Sequence, residues 1–383
     1  MHSNDAIVGS MPIAGPKKGA LKLCFFVPPS RGVFAGIERV QMLLASECAK
    51  RGHTVFLLLS EPLRHVPVLA EGITLNHLGA SRLRDCFGAL SRWFSREECD
   101  FAIVPQYLAA VLAGAARVLA KVHTKVICVL HGPVSKDNSI FERALRRGPL
   151  ALAYQHLVAG TLAISKAMLE DFREATSAKP KMARVVYNPI DLQSIAGAAA
   201  EKPEGDWFGN CDSTRILAVG RLEIQKDFET LIRAFRLVRR KRAARLLILG
   251  EGMQRARLEA LTRELGLERD VSMPGFAENP FPYMRGADVL VLSSRWEGLG
   301  LVLLEAMALG TPVVATNIAP AAEILENGRL GRLTPVEDAP AMARAILATV
   351  NARPESQRLV AAARKYSVDS IADRYLEVLQ ELA

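Results

Sequence analysis

The sequence has no apolar run approaching the roughly 18 residues that a bilayer-spanning helix requires. It also has no CxxC pair, no internal repeat and no low-complexity tract. Its six cysteines are scattered without metal-ligand spacing: Cys24, Cys48, Cys86, Cys99, Cys128 and Cys211. Scattered cysteines are typical of a reducing compartment rather than of a disulfide framework. We therefore expect a cytoplasmic protein without membrane-spanning helices.

Length and composition indicate two domains. With 383 residues, half of them apolar, the chain is too long for one ordinary core. Residues 1–20 are polar and contain two prolines and two lysines. Because no long apolar run follows them, we interpret this segment as a disordered leader rather than a signal peptide.

The charge is distributed unevenly between the two halves. Residues 1–195 carry 24 Lys and Arg against 15 Asp and Glu, whereas residues 196–383 carry 25 of each. A basic first half favours an anionic partner, such as a membrane face, a phosphate-bearing substrate or nucleic acid. A surface that serves only solubility is the alternative.

Short apolar runs alternate with helical patterns, which predicts parallel sheets with crossover helices. The strands expected in the first half are 21–27, 54–59, 101–105, 125–130, 161–164 and 183–187. Those expected in the second half are 216–219, 245–249, 271–273, 289–292 and 312–315. The fold class is thus α/β, with two doubly wound domains facing a central cleft and ligands at the carboxyl ends of the strands.

These patterns set the domain boundaries. The first domain is expected over residues 21–195, followed by a linker rich in Ala, Gly and Pro over 196–212. The second domain is expected over 213–365. A final helix is expected over 366–383, with packing back on the first domain.

Two cations follow the first strand of the second half. Gly220-Arg221-Leu222 ends the strand, and Lys226 lies in the loop that enters the next helix. Arg presents a planar fork to two phosphate oxygens, and Lys adds a compact charge. Solvated loop cations are the alternative, but the position between strand end and helix start favours a phosphate site.

A glycine-bearing helix start lies further along the same half. Gly298-Leu299-Gly300 precedes an apolar helix that begins at Leu301, and free amides at such a start bind anions. Glu297 stands just before this helix, and Glu305 lies one turn inside it. A carboxylate on an apolar face is costly unless something binds it, so ligand contacts are favoured over a capping or ion-pairing role.

Gly250-Glu251-Gly252 superficially resembles a dinucleotide fingerprint. Arg255 occupies the place of the third glycine, so we interpret the segment as a tight turn near the nucleotide. The chain contains no Asp-x-Asp, and a metal bridging a diphosphate therefore has no obvious ligand pair. Arg221, Lys226 and the helix-start amides would neutralise that charge, and we expect no metal and no cofactor.

Gly220-Arg221-Leu222 with Lys226, and Glu297 and Glu305 at E-x7-E spacing within EGLGLVLLEAMALGTPVVA, resemble the donor half of the retaining GT-B glycosyltransferases of family 4. The resemblance implies that Arg221 and Lys226 hold a diphosphate and that Glu305 binds the ribose hydroxyls. It also implies that Glu297 contacts the transferred sugar. Backbone groups near Phe276 would meet the base, as a weaker match.

The resemblance extends to the first half. Where the family has paired glycines after the first strand, this sequence has Ala35-Gly36, so only Gly36 corresponds. His131, followed by Gly132-Pro133, is implied to contact the donor sugar, although a lone His at a strand end is often structural. Ser165-Lys166 is similar to a family position that lines the cleft.

Two basic stretches with aromatic residues, 82–96 and 136–147, are candidates for the source of the charge excess. Basic amphipathic helices of this kind can lie in a membrane interface. They can equally be surface helices that pack an apolar stripe on the core. Taken with the basic first half, they favour peripheral contact with an anionic membrane surface, and we expect no nucleic-acid partner.

Together these features predict a glycosyltransferase that moves a hexose or N-acetylhexosamine from a nucleotide diphosphate, such as a UDP- or GDP-sugar, to a lipid-linked or cell-envelope glycan. Two alternatives stay open: a nucleotide-sugar epimerase of the same fold, and a non-catalytic subunit that only binds nucleotide sugar. An NAD-dependent dehydrogenase is more distant because the glycine fingerprint is incomplete.

Overall fold

The computed structural model describes residues 19–28, 36–62, 70–136, 147–203, 213–352 and 355–382. Within these ranges the first half forms a seven-stranded parallel sheet in the order β3-β2-β1-β4-β5-β6-β7. Its strands are β1 (Lys22–Val27), β2 (Thr54–Leu59), β3 (Ile73–His77), β4 (Phe101–Pro105), β5 (Lys125–Leu130), β6 (Gly160–Ala163) and β7 (Ala183–Val185). The central strands are almost entirely buried apolar runs, as expected for a sheet covered on both faces.

The second half repeats the same plan. Its described residues form a six-stranded parallel sheet in the order β10-β9-β8-β11-β12-β13. The strands are β8 (Thr214–Val219), β9 (Ala244–Leu249), β10 (Val271–Gly275), β11 (Val289–Leu292), β12 (Val313–Thr316) and β13 (Arg332–Thr334). Strand order reverses between β1 and β4 in one sheet and between β8 and β11 in the other, and ligands bind beyond the carboxyl ends at such points.

Helices connect the strands. In the first half they are α1 (Gly36–Lys50), α2 (Cys86–Arg96), α3 (Tyr107–Ala120), α4 (Pro149–Leu157), α5 (Lys166–Ala175) and α6 (Leu192–Ala198). The later helices are α7 (Phe228–Arg239), α8 (Arg255–Glu264), α9 (Phe281–Gly286), α10 (Leu301–Ala308), α11 (Ala319–Ile324), α12 (Ala339–Ala352), α13 (Ser356–Ala363) and α14 (Val368–Gln380). Side-chain caps begin several of them: Ser165, Asp191 and Ser367 accept amide hydrogens of the first turn.

The predicted fold class is confirmed, with local corrections. β3 and β13 were not predicted, because both are short edge strands whose residues are only partly buried. β7 ends at Val185 rather than residue 187, where its partner β6 also ends. β10 runs on to Gly275 across a register shift against β9.

The chain passes between the two halves twice, and the two crossing segments are in contact with each other. Ile190, on the way out of the first half, forms a parallel bridge with Ser367, on the way back. The Ile190 amide donates to the Tyr366 carbonyl at 2.8 Å, and the Val368 amide donates to the Ile190 carbonyl at 3.1 Å. The helix α14 that follows packs on the first half, where Tyr375 stacks on Phe25. The domain boundaries themselves stay a prediction.

No helix within the described residues is long and apolar enough to cross a membrane.

Candidate active site

The loop after β8 is shaped by glycines. The aliphatic stem of Lys226 lies over Gly220, where an added Cβ would come within 3.1 Å of Lys226 Cε. Gly250, with φ +147°, presses on the same loop so closely that a Cβ would lie 1.9 Å from the Gly220 carbonyl oxygen. Gly252 packs equally tightly on Leu222. The Gly250–Gly252 segment is thus a close backbone support for the loop that carries the two predicted phosphate-binding cations.

Lys226 and Glu297 form an ion pair at this edge of the sheet. Lys226 Nζ lies 2.6 Å from Glu297 Oε1, and both side chains are largely buried. The Ser294 hydroxyl donates to the same carboxylate oxygen at 2.6 Å. The sequence predicts that both charged residues contact one ligand, and in the structure the two side chains contact each other.

The start of α10 offers free backbone donors. Gly300 precedes the helix with φ +93°, and no side chain among the described residues caps the first turn. Leu299 is buried and holds the turn against the core. The amides at Leu301 and the next residue are therefore available to an anion, as at an anion-binding helix start.

Gly298 joins this loop to the first half. A Cβ at Gly298 would lie 2.2 Å from the backbone oxygen of His131 and 3.1 Å from Ile164. The Ser165 hydroxyl, which also caps α5, donates to the Gly298 carbonyl at 2.9 Å. His131 and Ser165 follow β5 and β6, so the carboxyl edges of the two sheets meet here.

His131 has a buried, unpartnered ring. Both ring nitrogens are buried, and neither has a hydrogen-bond partner within the described residues. Burial lowers the pKa of His131 from 6.5 to about 4, so the ring is neutral at physiological pH. A neutral imidazole carries one donor and one acceptor, which suits a ligand hydroxyl.

We expect this lowered pKa to appear in the pH dependence of stability. Because folded His131 resists protonation, its contribution is complete above pH 6.5 and is lost as the pH falls towards 4. The stability advantage of the wild type over His131→Asn should therefore shrink by up to about 3 kcal/mol across that range. Urea unfolding at several pH values measures it, and a pH-independent difference would contradict a buried ring.

Glu305 is held by a residue of the first half. Arg39 Nη1, on α1, lies 3.0 Å from Glu305 Oε1. Burial raises the pKa of Glu305, and the Arg39 charge opposes that rise. Gly36 begins the same helix, and a Cβ built on it would lie 3.8 Å from Leu301 Cδ1. Predicted residues from both halves thus converge on α10.

Arg221 and Phe276 stand at the outer edge of the site. The Arg221 side chain is exposed and has no side-chain partner within the described residues, so it is free to meet a ligand. Phe276 follows β10 with 79% of its surface exposed. The loops that carry Arg221 and Phe276 are linked through Gly250, which packs on the Arg221 loop. The Gly250 amide donates to the carbonyl of Gly275, the residue before Phe276, at 2.7 Å.

Several contributing residues were not predicted. Gln225 Nε2 donates to the Trp296 carbonyl at 2.8 Å, and the Ser293 hydroxyl donates to the Lys226 carbonyl at 2.7 Å. These bonds connect the loop after β8 to the loop after β11. Polar residues directly after a buried strand were the available signal for Ser293 and Ser294. Arg39 carried no such signal.

No group of three or more His, Cys, Asp or Glu within the described ranges could hold a metal ion. The expectation that the reaction needs no metal is untested by this finding.

Two family models match the chain. The model for glycosyl transferases group 1 matches residues 207–366, and the model for Glycosyltransferase Family 4 matches residues 34–194. The chain belongs to glycosyltransferase family 4. Membership confirms the predicted family and the assignment to the glycosyltransferases.

Relatives of this family-4 chain include enzymes of known name. It is 38% identical over 176 residues to N-acetylgalactosamine-N,N'-diacetylbacillosaminyl-diphospho-undecaprenol 4-alpha-N-acetylgalactosaminyltransferase of Campylobacter jejuni, covering 45% of this chain and 46% of the relative. It is 34% identical over 173 residues to the lipopolysaccharide core biosynthesis glycosyltransferase LpsE of Rhizobium meliloti, covering 44% and 50%. The chain thus spans about half the length of these curated relatives.

The fold of this family-4 chain is also that of a solved structure. HepE of Anabaena, solved in complex with UDP, superposes with a TM-score of 0.76 at 19% identity, covering 94% of this chain and all of HepE. At this identity the likeness shows the fold alone.

Proposed function

We propose that this chain transfers a hexose or N-acetylhexosamine from a nucleotide diphosphate sugar to a lipid-linked or cell-envelope glycan, with retention of anomeric configuration. The observation that carries the proposal is the contact between Lys226 and Glu297, the latter in the loop that leads into α10. It combines a cation and free amides for a diphosphate with a carboxylate for sugar hydroxyls.

The leaving diphosphate gains negative charge as the glycosidic bond breaks. Lys226, Arg221 and the amides at the start of α10 are placed to stabilise that charge, without a divalent ion. Donors arranged in advance for developing charge are among the largest contributions to catalysis. Attack would occur on the face that the diphosphate leaves, and a phosphate oxygen would accept the proton of the acceptor hydroxyl.

Three groups are available for the transferred sugar and the ribose. His131 offers its ring nitrogens, which have no partner within the described residues, and Glu297 directly precedes Gly298, which packs on the His131 backbone. Glu305 is assigned to the ribose hydroxyls, as the family resemblance implies. Glu297 is proposed as a sugar-binding group and not as a covalent nucleophile.

A lipid-linked acceptor fits the relatives' names. The Campylobacter relative is named for an acceptor on diphospho-undecaprenol, and the Rhizobium relative for lipopolysaccharide core synthesis. For this chain we propose an acceptor of the same kind, presented at the cytoplasmic face of a membrane. The donor is proposed to be a UDP- or GDP-sugar.

Two of the three aromatic residues of α2 turn inward, whereas Phe87 is 36% exposed. Phe94 is buried, and Trp93 packs edge-on against Phe56 with a centroid distance of 5.4 Å. Trp93 also donates to Asn76 Oδ1 at 3.2 Å. The second predicted stretch, 136–147, lies largely outside the described residues. The apolar face of α2 is thus largely occupied by packing on the core, and contact of this helix with a membrane stays a prediction.

The neighbouring helices α3 and α4 present the exposed apolar surface of the first half. Leu108 and Leu119 are 43% and 59% exposed and lie three helical turns apart, and Leu152 of α4 is 61% exposed. Neither helix contains Asp or Glu, and Arg117 lies on α3. Exposed apolar residues on two neighbouring helices without carboxylates suit an anionic membrane interface, and we propose membrane contact through this face.

Leu108→Asp/Leu119→Asp is expected to abolish retention of the protein on liposomes that contain anionic lipid, because carboxylates replace the inserting side chains. Co-sedimentation at low salt measures it. Val336→Ser, which removes an exposed apolar residue of the second half, is the matched control. Equal retention of all three proteins would remove this face from the proposal.

A thermal-shift screen with UDP-, GDP- and ADP-sugars tests the function as a whole, followed by transfer assays with the stabilising donor. We expect one nucleotide to stabilise the protein and its sugar to appear on a lipid-linked acceptor. An isomerised sugar without acceptor would indicate an epimerase. Binding without either product would indicate a non-catalytic subunit.

A further inference from the structure

Arg39 reaches from the first half into the donor half. It is the fourth residue of α1, and its Nη1 donates to Glu305 Oε1 at 3.0 Å, across 266 positions of sequence. Its guanidinium also lies over the ring of Phe281, 5.5 Å from the centroid. Two elements of the second half, α9 and α10, therefore fix the orientation of one side chain from the first.

Glu305 depends on this contact for its charge. It is buried in an apolar helix, and desolvation raises its pKa. Arg39 is the group that opposes the rise, both through its charge and through its hydrogen bond. Within the described residues, Glu305 Oε1 accepts this bond and Glu305 Oε2 has no donor. One carboxylate oxygen is thus left for another partner.

The charged side chains of four helices packed against α10, namely α6, α9, α11 and α13, lie at other sites or are absent. On α9, Arg285 borders a cavity at the opposite edge of the second sheet, beside Asp288. On α11, Glu323 accepts from the Tyr187 hydroxyl at 2.5 Å. On α13, Arg358 lines a separate cavity near β13. The helix α6 carries no charged residue.

We infer that Arg39 is a positioning residue of the donor site, which keeps the Glu305 carboxylate charged and oriented so that its second oxygen can accept the ribose hydroxyls of the nucleotide. The inference rests on the proposed function and goes beyond it, because it assigns part of the donor site to the acceptor half. The site is then complete only when the two halves are in contact, so donor affinity depends on closure of the cleft.

The test compares nucleotide affinity in wild type, Arg39→Gln and Arg39→Lys. The probe is whichever of UDP, GDP and ADP the wild type binds best, titrated calorimetrically between about pH 6 and pH 8.5. Arg39→Gln is expected to weaken binding about tenfold at the acidic end, and the gap should narrow as rising pH ionises Glu305. Arg39→Lys should recover most of the affinity, because the charge is kept.

A double-mutant comparison isolates the pair. In a Glu305→Gln background, Arg39→Gln should have no further effect on affinity, because the group that it positions is gone. Unchanged or tighter binding by Arg39→Gln would overturn the inference, since Arg39 would then be neutral or a competitor for the carboxylate. A loss that neither pH nor Arg39→Lys relieves would overturn it too, because it would reflect only a structural link.

A ligand-free readout separates this inference from the proposed function. Without Arg39, the folded-state pKa of Glu305 rises further, and stability from a group with a raised pKa is lost as the pH increases. The deficit in Tm of Arg39→Gln should therefore grow with pH and vanish in the Glu305→Gln background. If no nucleotide binds but this coupling is present, the proposed ligand fails and the pairing stands. If the coupling is absent, the inference itself fails.

Discussion

Lys226→Ala is expected to abolish the thermal shift produced by the nucleotide and to lower turnover about 10²–10³-fold, the effect of removing one preorganised donor to developing charge. The Lys226 ammonium is largely buried and lies 2.6 Å from Glu297. Its removal takes away the compact charge assigned to the diphosphate. It also leaves the Glu297 carboxylate buried without its partner, which costs about 3–5 kcal/mol.

The loss of binding must be separated from that destabilisation. In Lys226→Ala/Glu297→Gln the unpaired charge is gone, so the Tm should recover substantially while nucleotide binding stays lost. Lys241→Ala removes an exposed lysine after α7 and is the control for net charge. A wild-type nucleotide shift in the Lys226→Ala protein would contradict the assigned role of this residue.

Gly298→Ala is expected to lower kcat/KM about a hundredfold, because a displacement of about 1 Å between catalytic groups has an effect of that size. The added methyl group would lie 2.2 Å from the backbone oxygen of His131. Neither backbone can yield without moving the loop before α10 away from the first half. Nucleotide affinity should fall less, since Arg221 and Lys226 belong to the second half alone and only the Arg39–Glu305 contribution depends on the first half.

Gly197→Ala is the matched control for this variant. Gly197 lies in α6, and nothing lies within 4 Å of a Cβ built there. The same substitution should therefore leave kinetics unchanged and stabilise the helix slightly. Steady-state kinetics with the identified donor measure both, and wild-type kcat/KM for Gly298→Ala would show that the close contact with His131 does not matter.

The sequence predicts those parts of this molecule that depend on local patterns. Buried apolar runs identified the central strands, and the glycines and cations after β8 and before α10 marked the edge where we propose that the nucleotide binds. Each of these signals lies within a few residues along the chain. β3 and β13 escaped prediction because edge strands are only half buried and their alternation is weak.

Contacts between the halves could not be predicted in the same way. Ser165 and Gly298 are 133 residues apart, and Arg39 and Glu305 are 266 apart. Their meeting depends on how two separately formed sheets are oriented, which no local pattern encodes. The same limit explains α2, whose composition allowed either a lipid-facing or a core-facing stripe until the neighbouring Phe56 was placed.

The bridge between Ile190 and Ser367 marks the expected hinge between the two halves. Because two backbone hydrogen bonds join both chain crossings at one point, we expect the two halves to rotate about that point. Opening of the cleft would then be a rotation that separates the two halves most on the side farthest from this bridge. Substitutions next to this hinge should therefore change the frequency of cleft closure without altering any side chain that is proposed to contact substrate.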